Sequence, residues 1–128
     1  MRLLLDTCTF LWAIDERTQL SDQARTLIVD PGNEIYLSAI SAWEIALKQE
    51  RGNLVLLEPA FSYVPKQRRS HGYLELPLDE SAALRSGRLP ALHKDPFDRM
   101  LVCQAIEHGL VILTPDTHIS QYPVRTVW

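Results

Sequence analysis

Four carboxylates are the residues of this sequence whose types and positions could support catalysis. Each follows a short apolar run or lies in the first turn of a predicted helix: Asp6, Glu44, Asp98 and Asp116. Ionised carboxylates that lie a few ångströms apart raise each other's pKa values, and a divalent cation removes that cost. Oxygen ligands without a Cys/His cluster indicate a hard ion such as Mg²⁺ or Mn²⁺. Such a site suits phosphodiester hydrolysis, because the ion orients and acidifies a water and screens the substrate's charge.

The elements that must position these acids alternate between strand and helix along the chain. Apolar runs predict strands at residues 2–5, 34–39, 73–76, 110–114 and 124–127. Helical spacing and capping residues predict a short helix after Asp6 and further helices over 21–29, 41–51, 59–72, 79–86 and 96–108. Strands with almost continuous apolar sequence, separated by helices, predict a parallel α/β sheet that is covered on both faces.

Ligands of open parallel sheets collect beyond the carboxyl ends of the strands. Asp6 and Asp116 directly follow or lie just beyond predicted strands, and Glu44 and Asp98 lie near helix starts. If the sheet is parallel, the four acids therefore converge on one edge.

Each acid also has a purely structural interpretation. Asp6 could cap the following helix, with Thr7 or Thr9 sharing that role. The sequence Ser41-Ala42-Trp43-Glu44 fits a capping box, in which the Glu side chain returns to the Ser backbone amide, and on this pattern alone capping is favoured for Glu44. Asp116 resembles an ordinary turn aspartate.

The segment His93-Lys94-Asp95-Pro96-Phe97-Asp98-Arg99 carries two acids immediately before an apolar helical run. Asp95 precedes a proline, as expected of an N-cap, so we assign Asp95 mainly to capping. Asp98 falls in the first helical turn and is the better ligand candidate. We also consider that Arg99 pairs with a carboxylate near the site.

Length and composition are those of an ordinary globular chain. The sequence has 128 residues, of which 46% are hydrophobic, and we expect a single domain over residues 1–128. No apolar run approaches the roughly 18 residues needed to cross a bilayer, so we expect no membrane association. The two cysteines, Cys8 and Cys103, form no metal-binding motif, which favours a reduced cytoplasmic protein. The net charge of −3 argues only weakly against nucleic-acid binding.

In four segments the chain resembles a PIN-domain nuclease, in particular the toxin of a VapC-type toxin–antitoxin pair. The segments are Leu3-Leu4-Leu5-Asp6-Thr7, Ser38-Ala39-Ile40-Ser41-Ala42-Trp43-Glu44-Ile45, His93-Lys94-Asp95-Pro96-Phe97-Asp98-Arg99-Met100-Leu101 and Leu113-Thr114-Pro115-Asp116. The resemblance implies a three-layer α/β/α sandwich with a mainly parallel central sheet. It also implies RNA cleavage dependent on Mg²⁺ or Mn²⁺, a cognate antitoxin and a homodimer.

The acidic quartet of the family falls on Asp6, Glu44, Asp98 and Asp116, as catalytic and metal-binding residues. Where the subgroup commonly has His after the first Asp-Thr pair, this sequence has Cys8, for which we expect ordinary packing. Two alternatives stay open. One is a non-catalytic PIN-fold binding module; the other is a haloacid-dehalogenase-like phosphatase, which would need an acid at the position of Cys8.

Overall fold

A five-stranded sheet, parallel throughout, forms the centre of the computed structural model, which describes residues 1–15 and 19–128. The strands are β1 (Arg2–Leu5), β2 (Glu34–Ser38), β3 (Leu74–Leu76), β4 (Val111–Leu113) and β5 (Thr126–Val127), in the order β3-β2-β1-β4-β5. The predicted parallel α/β sheet is thus confirmed. All five strands lie within their predicted ranges, and most are shorter than predicted.

The central strand β1 is buried on both faces. Leu3, Leu4 and Leu5 are fully buried, so consecutive side chains on opposite sides of the sheet both meet apolar surroundings. A strand in this position has no polar face, which explains the continuous apolar run that predicted it. Because β2 and β4 flank β1, the residues that follow these three strands meet at one edge.

Helices cover both faces of the sheet. They are α1 (Thr7–Ile14), α2 (Asp22–Val29), α3 (Ala39–Glu50), α4 (Ala60–Ser70), α5 (Glu80–Arg85), α6 (Pro96–His108) and α7 (Thr117–Ser120). One apolar cluster joins the sheet to residues of α1 to α4, and a second joins its other face mainly to α6 and α7. This is the predicted three-layer arrangement. Within the described residues, no helix is long and apolar enough to cross a membrane.

Two helix assignments differ from the sequence prediction. Helix α3 begins at Ala39 because the Ser38 hydroxyl accepts the Ile40 amide, so the predicted start at Ser41 is wrong. Helix α7 was not predicted; Asp116 caps it by accepting the amide of His118. A helix of four residues leaves no apolar periodicity for a sequence pattern to detect.

The end of α6 fixes the direction of the helix against the sheet. Gly109 adopts the left-handed conformation (φ 65°), and the chain then enters β4 at Val111. Since α6 leads into the amino end of β4, its own first turn lies towards the carboxyl edge of the sheet. Asp98 in that turn is thereby brought to the same edge as Asp6.

Candidate active site

Asp6 lies at the junction of β1 and α1 and is buried. It occupies the N-cap position of α1, yet its carboxylate makes no capping hydrogen bond within the described part of the chain. Instead the hydroxyl of Thr114, at the end of neighbouring β4, donates to Oδ2 of Asp6 (2.7 Å). The carboxylate thus bonds chiefly to the neighbouring strand end, and a weaker contact with the Cys8 backbone amide lowers its pKa. Burial raises the pKa of Asp6, and the Thr114 hydrogen bond partly opposes this rise.

Thr114 also connects Asp6 to the fourth acid. Its hydroxyl oxygen accepts the backbone amide of Asp116 (3.0 Å) while it donates to Asp6. Asp116 in turn caps α7 through Oδ1, which accepts the His118 amide at 2.8 Å. A single hydroxyl therefore fixes the relative positions of two acids from adjacent parts of the sheet edge. The negative charge of Asp116 contributes to the raised pKa of Asp6.

Glu44 lies in α3, beyond the first turn, and points towards α1. The Thr7 hydroxyl donates to its Oε1 (2.7 Å), and the Lys48 ammonium pairs with its Oε2 (2.8 Å). Glu44 does not act as a cap, because Ser38 fills that role at the true start of the helix. The capping-box interpretation is thus wrong, and the Glu44 carboxylate faces the side chains that follow β1.

Asp95 and Asp98 have separate roles, as the sequence indicated. Oδ1 of Asp95 accepts the amides of Phe97 (2.8 Å) and Asp98 (3.2 Å), so its assignment as the N-cap of α6 agrees with the structure. Asp98 does not cap the helix, and its Oδ2 lies 3.2 Å from Nε2 of His93. The Asp98 side chain is 13% exposed.

The pKa of Asp98 reflects its burial and its closeness to other acids. Burial, followed by the negative charges of Asp95, Asp6, Asp116 and Glu44, raises the pKa of Asp98 to about 8. Asp98, and in the same direction Asp6, therefore resists ionisation in the absence of a cation. A divalent cation would reverse this preference, and carboxylate oxygens are the donors that Mg²⁺ and Mn²⁺ favour. The donor set fits such an ion.

Among the residues that the structure describes, Arg99 pairs with no carboxylate, contrary to the possibility considered from the sequence. Its guanidinium donates to the carbonyl oxygens of Pro90 (2.8 Å) and Ser86 (3.2 Å) and to the Tyr122 hydroxyl (3.1 Å). These bonds attach the loop before α6 to the helix itself. Arg99 thus holds the segment that carries His93.

Cys8 is exposed, so the expectation of ordinary packing is wrong. Partial burial of the thiol and the nearby charge of Asp6 raise its pKa, and Glu44 and Asp98 add to that effect. The thiol therefore lies within the electrostatic field of the acids. Sequence reasoning missed the linking hydrogen bonds of Thr7 and Thr114. It also missed the ion pair of Lys48, for which the Glu-Lys spacing of four residues on one helix was an available signal.

The fold, with its acids at the carboxyl edge of the sheet, can be compared with known proteins. The profile of the PIN domain matches residues 3–124. The chain belongs to the PIN-domain family. Ribonuclease VapC22 of Mycobacterium tuberculosis is 30% identical over 98% of this chain and 98% of its own length. The predicted resemblance is confirmed, and the alternative of a haloacid-dehalogenase-like phosphatase is set aside.

Solved structures agree with this PIN fold. VapBC2 from Rickettsia felis, bound to a DNA fragment from its promoter, superposes with a TM-score of 0.74 at 14% identity and covers 99% of this chain and 98% of its own. DNA-bound VapBC from Salmonella typhimurium gives 0.71 at 19% identity, covering 99% and 97%. At such low identity the likeness establishes the fold. In this PIN domain Asp98 lies within the electrostatic influence of Asp6, Glu44 and Asp116, with Cys8 beside them.

Proposed function

We propose that this PIN domain is an endoribonuclease that depends on Mg²⁺ or Mn²⁺ and acts as the toxin of a toxin–antitoxin pair. The observation that carries the proposal is the closeness of Asp98 to Asp6, Asp116 and Glu44, whose charges, after burial and Asp95, raise its pKa to about 8. Holding several carboxylates together is electrostatically unfavourable, and a bound cation removes this penalty, so the arrangement indicates a functional site. The similarity to ribonuclease VapC22 across the whole chain supports RNA as the substrate.

Asp6 and Asp98 would hold the principal ion, with Glu44 assisting and Asp116 completing the site. When bound, the ion would supply a water of lowered pKa and would screen the charge of the phosphodiester. The residues of the chain fix the ligands in place. Thr114 orients Asp6, and Thr7 and Lys48 orient Glu44, so the carboxylates cannot turn away from one another.

Asp6 and Asp116 retain oxygens for this task. The Thr114 bond falls on Oδ2 of Asp6, and the helix-capping bond falls on Oδ1 of Asp116, so the second oxygen of each carboxylate can serve as a ligand. Each oxygen of Glu44 already has one partner, and each keeps a further lone pair for an ion. We therefore assign principal ligation to Asp6 and Asp98, with Glu44 assisting.

The expected protein partners and location belong to the same proposal. The two solved structures described above are VapBC complexes, which supports a cognate antitoxin as the protein partner. We also propose that residues 1–128 act as one domain, that the domain forms a homodimer, and that it works in the reducing cytoplasm, where both free cysteines stay as thiols.

The test is cleavage of total RNA by purified protein with and without Mg²⁺ or Mn²⁺. Asp98→Asn should lower the cleavage rate roughly a hundredfold or more, because several kcal/mol of charge stabilisation are lost with the ion. Asp22→Asn is the matched control, since Asp22 is also a first-turn acid but is exposed on α2. Wild-type protein that binds no divalent ion and cuts no RNA would refute the proposal and favour a non-catalytic binding module.

A further inference from the structure

A histidine and two acids come together immediately beside the four-carboxylate site. In the described part of the chain, His93, Asp95 and Asp98 each offer a ligand atom, and these atoms lie within 4.8 Å of one another. Only Asp98 belongs to the acidic quartet. The other two residues contribute an imidazole and a carboxylate to which the proposed reaction assigns no role.

The closest pair of atoms has the spacing of two ligands on one ion. Nε2 of His93 and Oδ2 of Asp98 are 3.2 Å apart. Two ligands bound tetrahedrally to zinc at its usual bond lengths would be about 3.4 Å apart. Asp95 can join them, because both of its helix-capping bonds fall on Oδ1, so Oδ2 can turn to an ion.

A hydrogen bond between His93 and Asp98 would explain that contact alone. Capping of α6 occupies Oδ1 of Asp95 and leaves its Oδ2 available beside this pair. When both carboxyl groups are ionised, the two acids and the imidazole carry excess negative charge, which a bound cation would offset.

The imidazole of His93 is held in a fixed orientation from two sides. Its ring stacks on that of His118, with centroids 4.4 Å apart and planes 7° from parallel. The backbone of His93 is fixed by Tyr122, whose buried hydroxyl accepts the His93 amide (2.9 Å). Metal-binding histidines are commonly oriented by surrounding groups in this way, which lowers the entropic cost of binding.

We propose that His93, Asp95 and Asp98 bind a transition-metal ion of the Zn²⁺ class, at a site that shares Asp98 with the four-carboxylate site. Imidazole nitrogen favours Zn²⁺, Co²⁺ and Ni²⁺ over Mg²⁺, which prefers oxygen ligands and keeps its waters. The two sites therefore select different ions although they share one residue.

Sharing Asp98 has a consequence for catalysis, which rests on the proposed nuclease function. An ion held by His93 and Asp95 draws Asp98 away from the principal ion of the reaction. Zn²⁺ at micromolar concentration is thus expected to inhibit cleavage that Mg²⁺ supports at millimolar concentration.

The experiment measures Zn²⁺ affinity by competition with a chromogenic chelator and Mg²⁺ affinity by calorimetry. His93→Gln should weaken Zn²⁺ binding tenfold or more and change Mg²⁺ binding less than twofold. Asp95→Asn is a second variant that preserves the helix cap, because Asn caps as well as Asp, and it should also weaken Zn²⁺ binding. His71→Gln, which replaces an exposed histidine at the end of α4, is the control and should leave Zn²⁺ affinity within threefold.

Unchanged Zn²⁺ affinity in His93→Gln and Asp95→Asn would overturn this inference, as would an equal loss in His71→Gln. The outcome is separable from that of the nuclease proposal. His93-dependent Zn²⁺ binding by a protein that cuts no RNA would leave the metal site standing and remove the nuclease. RNA cleavage with no His93-dependent Zn²⁺ binding would do the reverse.

Discussion

Replacing Asp98 with Asn should stabilise the protein when no divalent ion is present. Asp98 is 13% exposed, and burial together with the surrounding acids raises its pKa from 3.8 to about 8. The folded protein therefore holds a proton on Asp98 at neutral pH, which the unfolded chain would release. Asn has nearly the same shape and carries no charge, so it avoids this cost.

The magnitude follows from proton linkage. Because the folded-state pKa is raised, the stability that Asp98 contributes is fully present below pH 3.8 and is lost as the pH rises towards about 8. Over this window the free energy of unfolding should fall by about 1.4 kcal/mol per pH unit, or about 4 kcal/mol by pH 7. The buried amide of Asn offsets part of the gain, so the net stabilisation should be about 2–4 kcal/mol.

Urea unfolding in EDTA between pH 5 and pH 8 measures this effect. The difference between Asp98→Asn and wild type should grow with pH, whereas the exposed control Asp22→Asn should stay close to wild type throughout. Adding Mg²⁺ at about 100 times its dissociation constant should stabilise wild type by about 2.7 kcal/mol and Asp98→Asn far less.

The reasoning is refuted if Asp98→Asn destabilises the metal-free protein at pH 7 and the difference from wild type does not change between pH 5 and pH 8. That result would mean that Asp98 is ionised without a cation. The repulsion among the four acids would then be too weak to indicate a metal site.

Three further changes test the groups that support the acids. Thr114→Val removes the hydroxyl that donates to Asp6, raises the pKa of Asp6 and should weaken Mn²⁺ binding roughly tenfold by calorimetry, for a hydrogen bond of about 1–2 kcal/mol. Arg99→Lys loses the planar set of donors to the loop before α6 and should lower the free energy of unfolding by about 1–3 kcal/mol in urea. Iodoacetamide should modify exposed Cys8 and spare buried Cys103. Mg²⁺ should speed the modification of Cys8, because the ion neutralises charges that raise the pKa of this thiol. Mass spectrometry measures the extent of modification at each cysteine.

The position of the acids at the carboxyl edge of the sheet could be predicted, because it follows from the order of strands and helices along the chain. Three consecutive leucines in β1 indicate a strand buried on both faces, and parallel strands bring their carboxyl ends together. This rule predicts that Asp6 and Asp116 lie at the same edge of the sheet. The assignment of Asp95 to the helix cap was equally local, since Asp before Pro is a strong helix start.

The contacts that orient the acids could not be predicted in this way. Thr7 lies 37 residues from Glu44, and Thr114 lies 108 residues from Asp6, so no local pattern reports either hydrogen bond. The start of α3 was misplaced because Ser38 and Ser41 are both acceptable caps, and only the strand before them decides between the two.

The distribution of capping roles explains which acids remain available at this edge. Ser38 caps α3 and Asp95 caps α6. The carboxylates of Glu44 and Asp98 are therefore not needed to accept hydrogen bonds from the helix ends. Asp98 lies three residues after its cap, in the first turn, where the helix dipole favours a carboxylate. The sequence patterns that suggest capping therefore supply a cap and a separate acid from the same short segment. An acid near a helix start is a ligand candidate when another residue already satisfies the exposed amides.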